Sequence, residues 1–170
     1  GLEDAQLTIL DALTYSGTLT NLLSVEDSPR FKFIHGDIRD QKTAQDAMLG
    51  HDAVVHFAAE SHVDRSIDGP IDFINTNILG TFNLLGCALN HYNETKELLF
   101  IHISTDEVYG SLNNKDAPFT ENNRYEPNSP YSASKASSDH LVRAWHHTFG
   151  LPVITTNCSN NYGPFQYPEK

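Results

Sequence analysis

Two adjacent carboxylates stand where charge is costly. The stretch Ile101-His-Ile-Ser-Thr-Asp-Glu-Val-Tyr-Gly110 opens as a buried strand should, with Leu98, Leu99, Phe100, Ile101 and Ile103. It then presents Ser104, Thr105, Asp106 and Glu107 in a row. Taking charge out of water at the mouth of a buried strand is unfavourable, so at least one acid should have a task. A second pattern lies further on, in Tyr131-Ser-Ala-Ser-Lys135. On a helix, residues four apart share a face. An ammonium beside a phenol favours tyrosinate and so lowers the phenol pKa. Tyrosinate near neutral pH can act as a general base on a sugar or alcohol hydroxyl, and the lysine can hold ribose hydroxyls. Each pattern has a bland alternative: a solvated turn for the acids, a surface pair for Tyr131 and Lys135.

The elements that must position these groups can be read from hydrophobic runs. Short apolar segments at 7–10, 31–34, 53–57, 98–103 and 152–156 are rich in Val, Ile and Phe. Near-continuous runs of this kind suit strands covered on both faces. Helical segments are expected between them. The first covers 41–49 behind Asp40 as N-cap. The second covers 71–91, with Phe73, Ile74, Ile78, Phe82, Leu85 and Leu89 near helical period. The third covers 132–149, behind Pro130 and stopped by Gly150. Strand alternating with helix predicts an α/β fold: a doubly wound, Rossmann-type parallel sheet flanked by helices. Residues 110–130 form the one long irregular stretch, of the length expected of an active-site lid.

In such a sheet ligands bind at the carboxyl ends of the strands. Asp11, Asp37, the run Ala58-Ala-Glu-Ser61, the run from Ser104 to Glu107, and Asn157 all fall just past a strand. Asp11 ends what reads as the second strand of the unit, where an acid can take both hydroxyls of an adenosine ribose and so favour NAD over NADP. It could equally be a turn aspartate. The glycine-rich phosphate loop belongs about 20 residues before such an acid, and the chain ahead of Asp11 is too short to hold it. Asp37 could receive an adenine amino group or cap a helix. Ala58 and Ala59 would let a cofactor approach the backbone.

Composition narrows the class. The 170 residues are 39% hydrophobic and 19% charged, which is globular and sufficient for one core. A formal net charge of -11 argues against nucleic acid or an anionic membrane as partner. Nothing reads as a signal peptide or membrane span. Cys87 and Cys158 show no metal or redox spacing, so free buried thiols in a cytoplasmic protein are expected. The nine histidines include His146 and His147 but no His-x-x-x-His, so no metal site is expected. Trp145 is read as core or interface. The abrupt ends suggest a fragment, or only the ordered part of a longer chain.

Five segments together carry a family resemblance: Gly36-Asp-Ile-Arg-Asp40, His56-Phe-Ala-Ala-Glu-Ser-His-Val-Asp-Arg-Ser66, Ser104-Thr-Asp-Glu-Val-Tyr-Gly110, Tyr131-Ser-Ala-Ser-Lys135 and Cys158-Ser-Asn-Asn-Tyr-Gly-Pro164. The chain resembles the extended short-chain dehydrogenase/reductases, and within them the dTDP-glucose 4,6-dehydratases. The resemblance runs from Leu7 to Lys170 and implies a partial domain over 1–170, with the substrate domain largely outside it. It implies NAD as cofactor, a nucleotide sugar (dTDP-glucose) as substrate, and a homodimer formed through the helices at 71–91 and 132–149. It implies a redox-neutral loss of water. In that reaction Tyr131 is the base at the sugar C4 hydroxyl beside Thr105, Lys135 its partner, Glu107 the base at C5, and Asp106 the acid that releases the C6 hydroxyl as water. Two acids in one site can divide into acid and base, because repulsion and burial push their pKa values apart.

The resemblance also assigns binding positions. Asp11, Leu13 and Thr14 fall where the adenosine is met, with Asp37 and Ile38 after the next strand. Phe57, Ala58, Ala59 and Thr76 fall at cofactor-lining positions, and Asn161 at the nicotinamide end. Ser61 and Asn160 resemble substrate contacts. His62, Asp64 and Arg65 are expected to make structural hydrogen bonds. Two other readings are carried forward: an epimerase or dehydratase acting on a UDP- or other nucleotide sugar, and a non-catalytic binding domain of the same fold. Intact Thr105, Asp106, Glu107, Tyr131 and Lys135 argue against the last.

Overall fold

The computed structural model describes residues 4–167. Five parallel strands form in the expected places: β1 (Leu7–Asp11), β2 (Phe31–His35), β3 (Ala53–His56), β4 (Leu99–Thr105) and β5 (Val153–Cys158). They make two sheets rather than one, β1-β2 and β3-β4-β5. In register, Asp11 pairs with His35, His56 with His102, and Thr105 with Cys158. The carboxyl ends therefore line up within each sheet, as the parallel α/β class requires.

Helix α1 (Gln41–Met48) starts where predicted: the Asp40 side chain accepts from Thr43 N at 2.6 Å. A short helix α2 (Val63–Asp68), which carries no apolar period of its own, follows β3, with His62 Nδ1 accepting from Arg65 N at 3.4 Å. The helix expected at 71–91 is longer and composite. It comprises α3 (Pro70–Phe73), a π-helical segment (Ile74–Gly80) and α4 (Thr81–Thr95). Helix α5 (Pro130–Phe149) begins with a reciprocal Ser129–Ser132 capping box. It ends at Gly150, whose φ of 74° is the left-handed conformation that only glycine adopts without strain.

The core joins α1, α4, α5 and β4 through Ala44, Met48, Leu84, Leu85, Ala88, Phe100, Val142 and Leu151. On β4, Phe100, His102 and Ser104 are buried while Leu99, Ile101 and Ile103 are half-buried. The parallel sheets are flanked by helices in the expected Rossmann-type manner, although Val55 and Ile154 remain 47% and 46% exposed. A smaller cluster of Val108, Tyr109 and Ala136, with Phe119 and Tyr125, fastens residues 110–129 to α5. Cys87 is buried, but Cys158 is only half-buried, and both are free. No helix among the described residues is long and apolar enough to cross a membrane, and no group of three or more His, Cys, Asp or Glu is placed to hold a metal ion.

Candidate active site

The two adjacent acids sit in the first turn of a short 3-10 helix, Asp106–Tyr109, at the carboxyl end of β4. Thr105 ends the strand and caps the turn, its Oγ1 accepting from Glu107 N at 3.2 Å. Gly110, at φ 106°, closes it through Gly110 N to Glu107 O. Both acids are half-buried in that turn. The strand-to-turn switch holds both carboxylates at the sheet edge while Val108 and Tyr109 anchor the turn in the core.

Tyr131 opens α5 against this turn. Its ring is 6% exposed and meets Phe73 edge-on at 6.3 Å between centroids. Its phenol is pushed up to about 12, first by burial and then by the Glu107 carboxylate, with Asp106 and Asp139 adding; a hydrogen bond with Thr105 pulls the other way. One turn on, Lys135 is 4% exposed and its Nζ donates to Ile103 O at 2.7 Å. Burial pushes this ammonium down to about 8, with Asp139 opposing. The sequence argument that Lys135 lowers the Tyr131 pKa is therefore corrected for this state. Helical spacing puts both residues on one face, but the lysine reaches past the phenol to a strand carbonyl, and carboxylates are the charges the phenol feels.

The β3 end, where Phe57, Ala58, Ala59 and Ser61 lie, is clamped from the π segment. Asn77 is 1% exposed. Its Oδ1 accepts from Glu60 N at 2.8 Å, and its Nδ2 donates to Glu60 O at 2.9 Å and Ser134 Oγ at 2.8 Å. Ser138 Oγ donates to Asn77 O at 2.6 Å. A wider helical turn, with its i→i+5 pattern, is the local structure that carries Asn77 between the β3 loop and α5. Ala58 packs on the core, Ala59 and Ser61 are half-buried, and Phe57 projects, 72% exposed. Thr76 is half-buried in the π segment.

At the other sheet, Asp11 Oδ1 accepts from Leu13 N at 2.7 Å, and Leu13 adopts φ 48°. Thr14 O accepts from Gly17 N at 2.9 Å. A Cβ on Gly17 would lie 2.7 Å from Leu13 Cα, so this turn has room for backbone alone. Asp37 does not cap a helix. Its carboxylate takes the Arg39 guanidinium at 2.6–3.0 Å and Arg39 N at 2.8 Å, and that pair holds it below its usual range. Ile38 is buried, 7% exposed. The Arg65 guanidinium lies 3.6 Å from the Tyr15 ring centroid, beside the same turn. The structure thus brings Thr105, Asp106, Glu107 and Tyr131 together at one strand end and sets Lys135 behind them. Asp11, Leu13, Thr14 and Asp37 cluster at the end of the other sheet, and Asn160 and Asn161 are exposed beyond β5. Sequence reasoning missed Asn77 and Asp139. For Asp139 the signal was present, four residues after Lys135 on the same helix face.

The chain is similar to known proteins in sequence and in overall fold. The chain is 56% identical over 95% of its length to a dTDP-glucose 4,6-dehydratase of Shigella flexneri, covering 49% of that protein. Among solved structures, a dTDP-glucose 4,6-dehydratase from Streptomyces venezuelae with NAD bound superposes with a TM-score of 0.90 at 52% identity, over 97% of this chain and 49% of that one. A UDP-glucuronic acid 4-epimerase from Bacillus cereus, in complex with UDP-glucuronic acid and NAD, superposes with a TM-score of 0.86 at 29% identity, over 97% and 52%. The chain spans about half the length of the relatives it matches. Along all of residues 1–170 it fits the family model described as GDP-mannose 4,6 dehydratase, and it belongs to that family.

Proposed function

We propose that the full-length protein is an NAD-dependent dTDP-glucose 4,6-dehydratase, removing water from dTDP-glucose to give dTDP-4-keto-6-deoxy-glucose. The observation that carries this reading is the Asp106–Glu107 pair, held half-buried beside Thr105 and the Tyr131 phenol. Oxidation at one carbon needs a single base. Elimination of water across C5 and C6 needs a second base and an acid as well, and the site supplies both.

The residues present fit the cofactor. Asp11 stands exposed at the end of β1 beside the tight turn that closes at Gly17, an arrangement suited to an adenosine ribose. Leu13, Thr14, Asp37 and Ile38 would flank it. Phe57, Ala58, Ala59, Thr76 and Asn161 would line the remainder. When bound, NAD supplies the hydride acceptor for C4 and the hydride donor for C6.

The chain's own residues manage the protons. Tyr131 takes the proton of the C4 hydroxyl, with Thr105 Oγ1 holding that oxygen. The phenol is protonated in the present state, so it becomes a base only when a cation outweighs Asp106 and Glu107. Lys135, one turn away, is the residue to supply that field. Glu107 removes the C5 proton, acidified by the adjacent ketone, Asp106 gives a proton to the departing C6 hydroxyl, and C5 takes a proton back once C6 has received hydride. Ser61 and Asn160 would hold the sugar. A 4-epimerase acting on a UDP-sugar is the second reading, favoured by the fold shared with the Bacillus cereus enzyme and disfavoured by the acid pair.

The outer face of α4 and α5 supports a homodimer. Phe82 and Phe149, 52% and 51% exposed, sandwich Trp145 with centroid distances of 5.6 and 5.5 Å. An apolar face of this kind is best covered by a second copy. The cytoplasm is the proposed location, in keeping with two free thiols.

The test is product mass after incubating the full-length protein with dTDP-glucose and NAD+. Loss of one water without net NADH is expected. Retained mass with inverted C4 would establish the epimerase reading instead, and loss of two hydrogens without loss of water, with accumulated NADH, a simple dehydrogenase.

A further inference from the structure

Behind the site lies a buried carboxylate that the reaction above does not use. Asp139 is 5% exposed and stands one helical turn beyond Lys135 on α5. Its Oδ2 accepts from Ser104 Oγ at 2.9 Å, from Tyr125 Oη at 2.9 Å and from Asn157 Nδ2 at 3.4 Å. Its Oδ1 lies 3.1 Å from His102 Nε2. These partners belong to β4, to the irregular segment before α5, and to β5. Asn157 Nδ2 also donates to Thr105 O at 3.3 Å, and its Oδ1 accepts from Tyr109 Oη at 3.2 Å. One carboxylate therefore ties the helix that bears Tyr131 and Lys135 to the strand end and turn that bear Thr105, Asp106 and Glu107.

We propose that Asp139 is a positioning residue for the reaction: it fixes α5 against Ser104–Thr105 and keeps the Lys135 ammonium charged in a buried setting. The inference rests on the dehydratase reading for its kinetic test alone. Bulk packing does not account for the arrangement, because a buried carboxylate is costly unless several donors meet it. The one lysine ammonium buried on this helix face is its neighbour. Other groups facing Lys135 do not replace Asp139. His56 on β3 and His102 on β4 are both pushed toward the neutral form, chiefly by burial and further by Lys135 itself. Tyr131 on α5 is neutral, while Asp106 and Glu107 on the 3-10 turn act on the phenol. Asp139 is the charge that opposes desolvation of the ammonium.

The experiment compares the full-length wild type with Asp139→Asn, which keeps the shape and loses the charge. Turnover of dTDP-glucose is expected to fall about ten- to a hundredfold with KM within about threefold, as for loss of a group that acts through others. The alkaline limb of the kcat profile is expected to move to lower pH, since removing an anion lowers the pKa of a nearby ammonium. A purely structural role would lower kcat with the limb in place, and that result overturns the proposal. A second readout is independent of turnover: titration of the Lys135 amine by 15N NMR in selectively labelled protein. A pKa lowered in Asp139→Asn supports the proposal even if dTDP-glucose is not the substrate, and an unchanged pKa overturns it. If Asp139→Asn does not fold, Tyr125→Phe carries the test, because it loosens the same carboxylate from the outside. A drop of about threefold in kcat at unchanged KM and Tm is then expected, and unchanged kcat overturns the inference.

Discussion

The two sheets wire their strand ends in opposite ways. At β3-β4-β5 the polar groups are buried and bonded across long stretches of sequence: Asn77 to Glu60 and Ser134, Lys135 to Ile103, Asp139 to Ser104, Tyr125 and Asn157. At β1-β2 the corresponding acids bond to residues two positions away, Asp11 to Leu13 and Asp37 to Arg39, close to solvent. The difference suits the two tasks. Proton transfer demands positions held to fractions of an ångström, which only a packed, cross-linked setting provides. Holding a ribose demands an acid that stays charged and open to the ligand.

The comparison is broken most severely at Tyr131. Tyr131→Phe keeps the ring against Phe73 and removes the base. The full-length protein is expected to lose about 10²- to 10⁴-fold in hydride transfer from dTDP-glucose, read as absorbance of reduced nicotinamide in a single turnover, with nucleotide-sugar affinity little changed. Comparable turnover in the variant would remove Tyr131 from the chemistry.

Next comes the clamp on the β3 loop. Asn77→Ala strips partners from Glu60 N, Glu60 O and Ser134 Oγ in a buried setting, so a loss of about 2–4 kcal/mol is expected. Chemical denaturation of the full-length protein measures it. A loss under about 1 kcal/mol would mean the site half is no more rigidly wired than the other.

Lys135 separates stability from function. Its folded pKa, about 8, lies below the unfolded value of 10.5. The folded state therefore binds fewer protons than the unfolded state between those values, and stability rises with pH through that window. Below pH 8 the protein carries the cost of a buried charge. Lys135→Met should abolish turnover yet raise stability at pH 7 by about 1–2 kcal/mol, after loss of the bond to Ile103 is set against relief of desolvation. The gain should fade above about pH 10. Denaturation at pH 7 and pH 10 checks both halves of this expectation.

The smallest effect belongs to the open sheet. Asp11→Ala should weaken NAD binding about tenfold in titration calorimetry, with stability within about 0.5 kcal/mol of wild type. A large stability loss there would erase the contrast between the two sheet ends.

What the sequence made legible follows the same division. The strands were readable to within a residue or two from apolar runs, and the ends of α1 and α5 from Asp40 and Gly150, because caps and periodicity are local. The polar strand ends could be named for the same reason. The split of the sheet, the π segment around Asn77, the reach of Lys135 to Ile103 and the convergence on Asp139 depend on partners from 14 to 57 positions away, and no local pattern encodes them. The sign of the Tyr131 shift was misread from local spacing: the lysine four residues on was visible, whereas the burial of the phenol and the carboxylates facing it depend on other elements.

The most direct test of the paired-acid account is a single turnover of full-length Glu107→Gln with dTDP-glucose and NAD+, beside the wild type. The account predicts reduced nicotinamide that persists in the variant, with sugar oxidised at C4 and no loss of water, while the wild type loses water and returns the hydride. Loss of water in the variant at close to the wild-type rate would contradict the role of Glu107 and return the acid pair to a structural turn.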